Sequence, residues 1–214
     1  MSPSTLPNDT SLTDDGLSPE GKGKILLIAC GALAREIIAL RELNNWTHID
    51  LTCLPAIYHN APDKITPAIR DAVEKWRGSY EQVFIVYADC GTGGQLHAAS
   101  EEMGVEMLQG PHCYSFFEGN EAFAERDEIT AFYLTDFLAR QFEAFVWKPL
   151  GLDRHPELLD MYFGHYEKLV YQSQIDDPQL VEQAKSYAAR MGLEFEHRHT
   201  GYGDLCNELS RLKP

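Results

Sequence analysis

The chain has 214 residues, of which 44% are hydrophobic, and carries a formal net charge of −15 from 33 acidic and 18 basic residues. That composition supports one large domain or two intimate lobes with a sizeable core. It argues against nucleic acid as a partner, because so acidic a field repels phosphate backbones. It also argues against a membrane protein, because no apolar run approaches the roughly 20 residues of a spanning helix.

Residues 1–23 hold no apolar stretch and are rich in Ser, Pro, Asp and Gly. They read as a disordered tail rather than a secretory leader. The α/β domain then runs from 24 to 214, with possible lobes at 24–148 and 149–214. KILLIAC (24–30) has the apolar continuity of a strand buried on both faces. GALAREIIALREL follows at helical spacing, with Leu33, Ile37 and Leu40 on one face. IDLTCLP (49–55) is a second strand, 64–78 a helix, and QVFIVYAD (82–89) the clearest strand of all. GTGG opens a helix through Glu102, and VEMLQ (105–109) is a short strand ending in GPHC. A helix around 117–126, the strand ITAFYLT (129–135) and a helix from Asp136 to about Phe145 come next.

Pro149, Gly151 and Pro156 mark a turn-rich link, and a short helix near 156–163 precedes the strand KLVYQSQ (168–174). Asp177-Pro178 starts a helix that ends at Gly192, by an acidic N-cap and a proline in the first turn. The strand LEFEHRH and a helix from about Asp204 close the chain. Strands alternating with helices predict a three-layer α/β/α fold, a parallel sheet built from repeated β-α units.

An internal echo points to the site. Cys30-Gly31 and Cys90-Gly91 each end an apolar strand and precede a helix, and the following strand exits through a loop bearing His59 or His112. Cys113 adjoins His112. Strand ends of this kind form the carboxyl edge of an α/β sheet, where ligands bind. Three thiols there predict a metal site made of Cys30, Cys90 and Cys113, holding a four-iron (4Fe-4S) cluster or zinc. With no C-x-x-C anywhere, the fold must assemble such a site. A metal-free thiol nucleophile, Cys90 or Cys113, is the competing reading, and three small buried residues the plainest one. Cys53 and Cys206 read as core or surface residues. An odd total of five cysteines suits a reducing cytoplasm.

His59, Asp89, His112 and Tyr114 are the candidate proton-handling residues. Asp89 has an equally plausible role capping the turn that follows. Gly91, Thr92, Gly93 and Gly94 offer N–H groups at a helix start, a seat for a carboxylate or phosphate, although the motif is neither a P-loop nor a dinucleotide fingerprint. Thr135-Asp136 reads as an N-cap pair. His165 has no assigned role, and His197 and His199 share one face of a strand, read as the solvated face, with Tyr202 and Asp204 nearby in sequence.

Taken together, IACGALAREI, LPAIYHNAP, YADCGTGGQL, GPHCYSFFEG, FYLTDFLARQF and YFGHYEKLVY resemble a bacterial and archaeal family known only as a domain of unknown function (number 1638). The resemblance spans about 24 to 205 and includes the three glycine-loop cysteines, His59, Asp89, His112 and His165. It implies no assigned activity. Its members are often encoded near corrinoid-dependent methyltransferases for methylamines or betaines, which implies a one-carbon setting and a corrinoid protein or methyltransferase as a possible partner. The chain is also loosely quinolinate-synthase-like, since that enzyme gathers single cysteines from repeated α/β units around one cluster.

The expected function is therefore a metal-dependent enzyme acting on a small polar substrate, by a lyase or methyl/one-carbon transfer reaction. The alternatives are a non-catalytic metal- or corrinoid-handling accessory protein of a methyltransferase system, and a metal-free cysteine-nucleophile enzyme.

Overall fold

Six consecutive buried residues form the first strand, and the rest of the first sheet is arranged around it. The computed structural model describes residues 6–213. After a short helix α1 (Asp9–Asp14), β1 (Ile25–Cys30) is covered along its whole length, as its unbroken apolar sequence requires. β2 (Ile49–Leu54), β3 (Gln82–Val86) and the short β4 (Glu106–Met107) complete a parallel sheet in the order β2-β1-β3-β4. Helices α2 (Ala34–Leu43), α3 (Ile65–Trp76) and α4 (Gln95–Met103) make the three crossovers.

The order of the strands decides where those helices go. The step from β1 to β2 runs one way across the sheet, and the next two run the other way. Right-handed crossovers then place α2 on one face and α3 beside α4 on the other, and α3 does pack on α4. The reversal between β1 and β3 is a topological switch point, which opens a crevice at the carboxyl ends of those two strands.

The described part of the tail is folded, where composition suggests disorder through residue 23. Asn8 caps α1 by accepting the Thr10 N–H at 2.9 Å, Asp9 pairs with Arg35 at 2.8 Å, and Leu12 is fully buried. The polar residues of the tail thus serve as caps and partners rather than solvated linker. Leu17 and Cys53 exchange two backbone hydrogen bonds at 2.9 Å. Asp50, almost fully buried on β2, then gathers the N–H groups of Glu20, Gly21 and Lys22 at 3.1, 2.6 and 3.2 Å, with the Tyr80 hydroxyl at 2.9 Å. Residues 1–5 lie outside the described residues.

A second sheet, β5 (Ala131–Leu134), β6 (Lys168–Ser173) and β7 (Glu194–His199), is parallel in that order. The described chain accordingly forms two compact units, one running through Cys113 and resuming at Leu205, the other Tyr114–Asp204. The boundary falls there rather than at 148/149, because β5 pairs in register with β6, Ala131 against Lys168. Both units are parallel sheets flanked by helices, the three-layer α/β/α class.

In the second unit α5 (Ser115–Glu118) and α6 (Asn120–Arg126) replace the single helix expected over 117–126, broken at Gly119 with φ +93°. α7 (Asp136–Arg140) stops short of Phe145 and gives way to a π-helical turn over Glu143–Trp147. There Phe142 stacks on Tyr187 and Phe145 sits edge-on to Phe137. α8 (Leu159–Phe163) and α9 (Pro178–Met191) lead into β6 and β7, and Asp177 caps α9 as its sequence predicts. Arg198, mostly buried, donates to Glu118, Glu128 and Glu196, and hydrogen bonds from Lys168, Tyr133 and Arg198 hold the Glu128 carboxyl down at about 2 against its burial. The chain closes with α10 (Gly203–Leu209).

Asp50 gives a test of the tail's docking. Burial alone would raise its pKa, but the N–H groups and the Tyr80 hydroxyl outweigh that and hold it below the ordinary carboxylate value. Its contribution is therefore complete above the unfolded carboxylate range, near pH 4, and disappears as pH falls through the depressed folded value. Asp50→Ala is expected to lower unfolding stability by about 2–3 kcal/mol in urea at pH 7. The variant should also lose part of the wild-type acid sensitivity below about pH 4.

Candidate functional site at the switch point

Cys30 is the last residue of β1, and Cys90 lies just beyond β3, its neighbour. The switch point therefore brings these two loops to one crevice without any local motif. The two Cys-Gly pairs have different physical reasons. At Gly31 the need is space: a Cβ there would lie 2.3 Å from the Leu12 carbonyl oxygen and 3.1 Å from that of Leu54. At Gly91 it is conformation, with φ +82°. Cys90 itself has φ +46°, an uncommon backbone for a side-chain-bearing residue, at a strand-to-helix turn.

Cys113 reaches the same point because two backbone hydrogen bonds join its loop to that of Cys90. Asp89 N–H donates to the Gly110 carbonyl at 3.0 Å and Cys90 N–H to that of Pro111 at 3.2 Å. The Cys90 and Cys113 sulfurs are consequently 3.2 Å apart. Both residues are partly exposed, whereas Cys30 is buried.

The three sulfurs have different acid–base states. The Cys113 thiol donating to Cys90 is the main reason the Cys90 pKa falls below the usual thiol value, against burial and helped by the Cys113 and Ala88 N–H groups. The same bond, with burial, pushes Cys113 well up. Burial pushes the Cys30 thiol up to about 12, helped by the nearby Cys90 charge. The arrangement is one thiol whose ionisation is eased, one thiol hydrogen-bonded to it, and a third thiol kept protonated by burial.

His59 and His112 are electrostatic neighbours at the rim. Although much of each residue is exposed, desolvation by the packed loops lowers both imidazole pKa values, aided at His59 by His112 and opposed at His112 by Asp89. Both rings are thus neutral at pH 7, the state of a general base or a metal ligand.

Asp89 is the turn cap. Its carboxylate accepts the Thr92 hydroxyl at 2.9 Å and the Gly93 and Gly94 N–H groups at 3.2 and 2.7 Å. Those bonds outweigh burial and hold its pKa below the ordinary value. The N–H groups of the GTGG turn are therefore spent on an internal anion, so Gly91, Thr92, Gly93 and Gly94 do not present the open seat that their composition suggests.

Tyr114 belongs to the second unit. Its ring stacks on Tyr133 at 5.2 Å and meets Phe123 edge-on at 5.5 Å, over the cluster of Ala131, Tyr133 and Val170. Cys53 is buried in β2 and Cys206 lies in α10. His165 rests on Tyr166, and Thr135 caps α7 through the Leu138 N–H. Asp136 is a buried acceptor for the Tyr171 hydroxyl at 2.6 Å. His197 and His199 are exposed, as an outward face requires, but both rings also contact the Ser173 hydroxyl, at 2.9 and 3.0 Å.

Tyr87 is the site residue that sequence reasoning passes over. It is 1% exposed, its hydroxyl faces the Cys30 thiol without ordinary hydrogen-bond geometry, and burial together with the nearby Cys30, Cys90 and Cys113 sulfurs pushes its pKa well up. The available signal was a tyrosine ending an apolar buried strand, since a buried phenol normally has a polar partner.

Among the described residues, no three His, Cys, Asp or Glu side chains stand together as ligands for one metal ion. No helix among them is long and apolar enough to cross a membrane.

The family described as Protein of unknown function (DUF1638) matches residues 53–209. The chain belongs to this family. Comparison with curated proteins and with solved structures returns no match. The match takes in His59, Asp89, Cys90, His112 and Cys113 and begins beyond Cys30.

The coupling of Cys90 to Cys113 predicts a pH profile. Alkylation of Cys90 by a small haloacetamide should switch on below the pH expected for a free thiol, near 8.5. Cys113→Ala removes the S–H donor and moves that midpoint up. Cys113→Ser keeps a donor and leaves it close to wild type.

Proposed function

We propose that the protein is an enzyme whose chemistry is carried by the Cys90 thiolate, acting on a small polar substrate in the switch-point crevice. The observation that carries this reading is the Cys90–Cys113 pair at 3.2 Å, which depresses the pKa of a partly exposed thiol on a strained strand-to-helix turn. A thiolate there forms a bond to an electrophilic carbon or sulfur and leaves the substrate transiently attached. His59 and His112, both neutral at pH 7, accept or return the proton. Asp89 positions the nucleophile by holding the turn. A one-carbon transfer fits this chemistry, with the thiolate as methyl acceptor.

A second reading rests on Cys30, a third sulfur within electrostatic reach of Cys90 and Cys113, which would have to draw closer to them to share a metal. Zinc or a four-iron cluster on these three cysteines would supply a Lewis acid for a lyase or one-carbon transfer reaction. It would equally suit an accessory protein that handles metal or corrinoid for a methyltransferase without turnover. Two thiolates on one tetrahedral zinc lie about 3.8 Å apart, from Zn–S bonds near 2.3 Å. The observed pair is near that spacing, whereas cluster cysteines bind separate irons and stand farther apart. The sulfur pair thus fits zinc better than a cluster.

The test is haloacetamide labelling of metal-free protein at pH 7, resolved by peptide mass. Cys90 is expected to react at least about tenfold faster than Cys206, with Cys30 and Cys53 unmodified. Equal rates at Cys90 and Cys206 would overturn the thiol reading. Zinc, or iron with sulfide, bound stoichiometrically after anaerobic purification and lost in Cys30→Ala, would favour the second reading.

A further inference from the structure

The nucleophile does not stand alone, and its neighbour has a chemistry of its own. We infer that Cys90 and Cys113 form a redox couple that reduces a low-molecular-weight disulfide and is itself oxidised to an intramolecular disulfide. This inference rests on the thiol reading of the same crevice and adds to it the substrate class and the role of Cys113.

Geometry supports the pairing. The two sulfurs lie 3.2 Å apart, and a disulfide needs about 2.05 Å, so closure asks for little more than 1 Å of approach. The loops bearing them are already fastened by the Asp89–Gly110 and Cys90–Pro111 backbone hydrogen bonds. Gly91, exposed and at positive φ, follows Cys90 at the point where the chain must adjust.

Access separates the roles. Cys90 and Cys113 are partly exposed, while Cys30 and Cys53 are buried. An entering disulfide therefore meets the pair and not the other two. Cys30 remains a neutral thiol beneath the couple, excluded from exchange by burial.

The steps balance. The Cys90 thiolate attacks one sulfur of R–S–S–R, forming a Cys90–S–S–R bond and expelling one R–S⁻, which takes a proton from solvent. Cys113 gives its proton to solvent and attacks the Cys90 sulfur. The mixed disulfide breaks, the second R–S⁻ leaves and is protonated, and a Cys90–Cys113 disulfide remains. Two electrons pass from the dithiol to the substrate disulfide, yielding two R–SH. An external dithiol resets the couple by the reverse exchange.

The experiment uses the full chain, purified anaerobically with chelator, equilibrated with glutathione and glutathione disulfide at graded ratios. Samples are quenched in acid, alkylated and mapped by mass. The expected result is a single two-electron transition that removes two alkylatable thiols and links the Cys90 and Cys113 peptides. Cys113→Ser should instead accumulate glutathione on Cys90, and Cys90→Ser should slow exchange at Cys113 by at least about tenfold. Failure to form the Cys90–Cys113 link in excess glutathione disulfide, while Cys90 still alkylates rapidly, overturns the redox couple and leaves the nucleophile standing. Slow alkylation of Cys90 overturns both. A link between any other pair of cysteines overturns the assignment of Cys113.

Discussion

The site depends on one topological constraint. β1 and β3 are adjacent and parallel, and the chain leaves them in opposite directions. Right-handed crossovers then put helices on opposite faces, so the loops leaving the two central strands part at their carboxyl ends. Cys30 and Cys90 stand at those two ends. β4 lies beside β3, and its exit loop returns along the Cys90 turn, which delivers Cys113. Sulfurs far apart in sequence are therefore brought together by strand order and by the two backbone hydrogen bonds that join the Cys90 and Cys113 loops.

Around that crevice, strain and polarity are stored in specific places. Cys90 at φ +46° costs on the order of 1–2 kcal/mol relative to ordinary backbone. The turn is held by Asp89, whose carboxylate collects a hydroxyl and two glycine N–H groups. Asp50 plays a comparable part at the other end of the first unit, tying residues 20–22 to β2. In both cases a carboxylate stays ionised because backbone donors repay its desolvation. Gly31 lets the Leu12 carbonyl approach the Cys30 loop, so the tail helix packs directly on the site.

Much of this was legible in the residues. Unbroken apolar runs located β1 and β3, and Asp177-Pro178 with Gly192 bounded α9 almost to the residue. The Cys-Gly echo located the crevice, because strand-end loops of neighbouring β-α units converge whenever the sheet reverses. Less visible was what depends on pairing. Nothing local to ITAFYLT says that it joins KLVYQSQ in a separate sheet, so the unit boundary falls at 113/114 rather than 148/149. Composition hid the folded tail, since Asp9 and Leu12 acquire partners only when α2 and the turns that follow β1 and β2 are in place. The GTGG turn looked like an open anion seat because sequence cannot show that Asp89 already fills it. Tyr87 was passed over because two of its three sulfur neighbours, Cys30 and Cys113, come from loops distant in sequence.

The central claim is that Cys90 and Cys113 are one chemical unit. A monosubstituted trivalent arsenical, which binds tightly only when two thiols can both bond to arsenic, tests this most directly. The account predicts stoichiometric capture by the reduced, metal-free chain, with arsenic bridging the Cys90 and Cys113 peptides and capture lost in either single alanine variant. Capture that survives both variants, or no capture by a folded chain whose Cys90 and Cys113 thiols are both free, would contradict it.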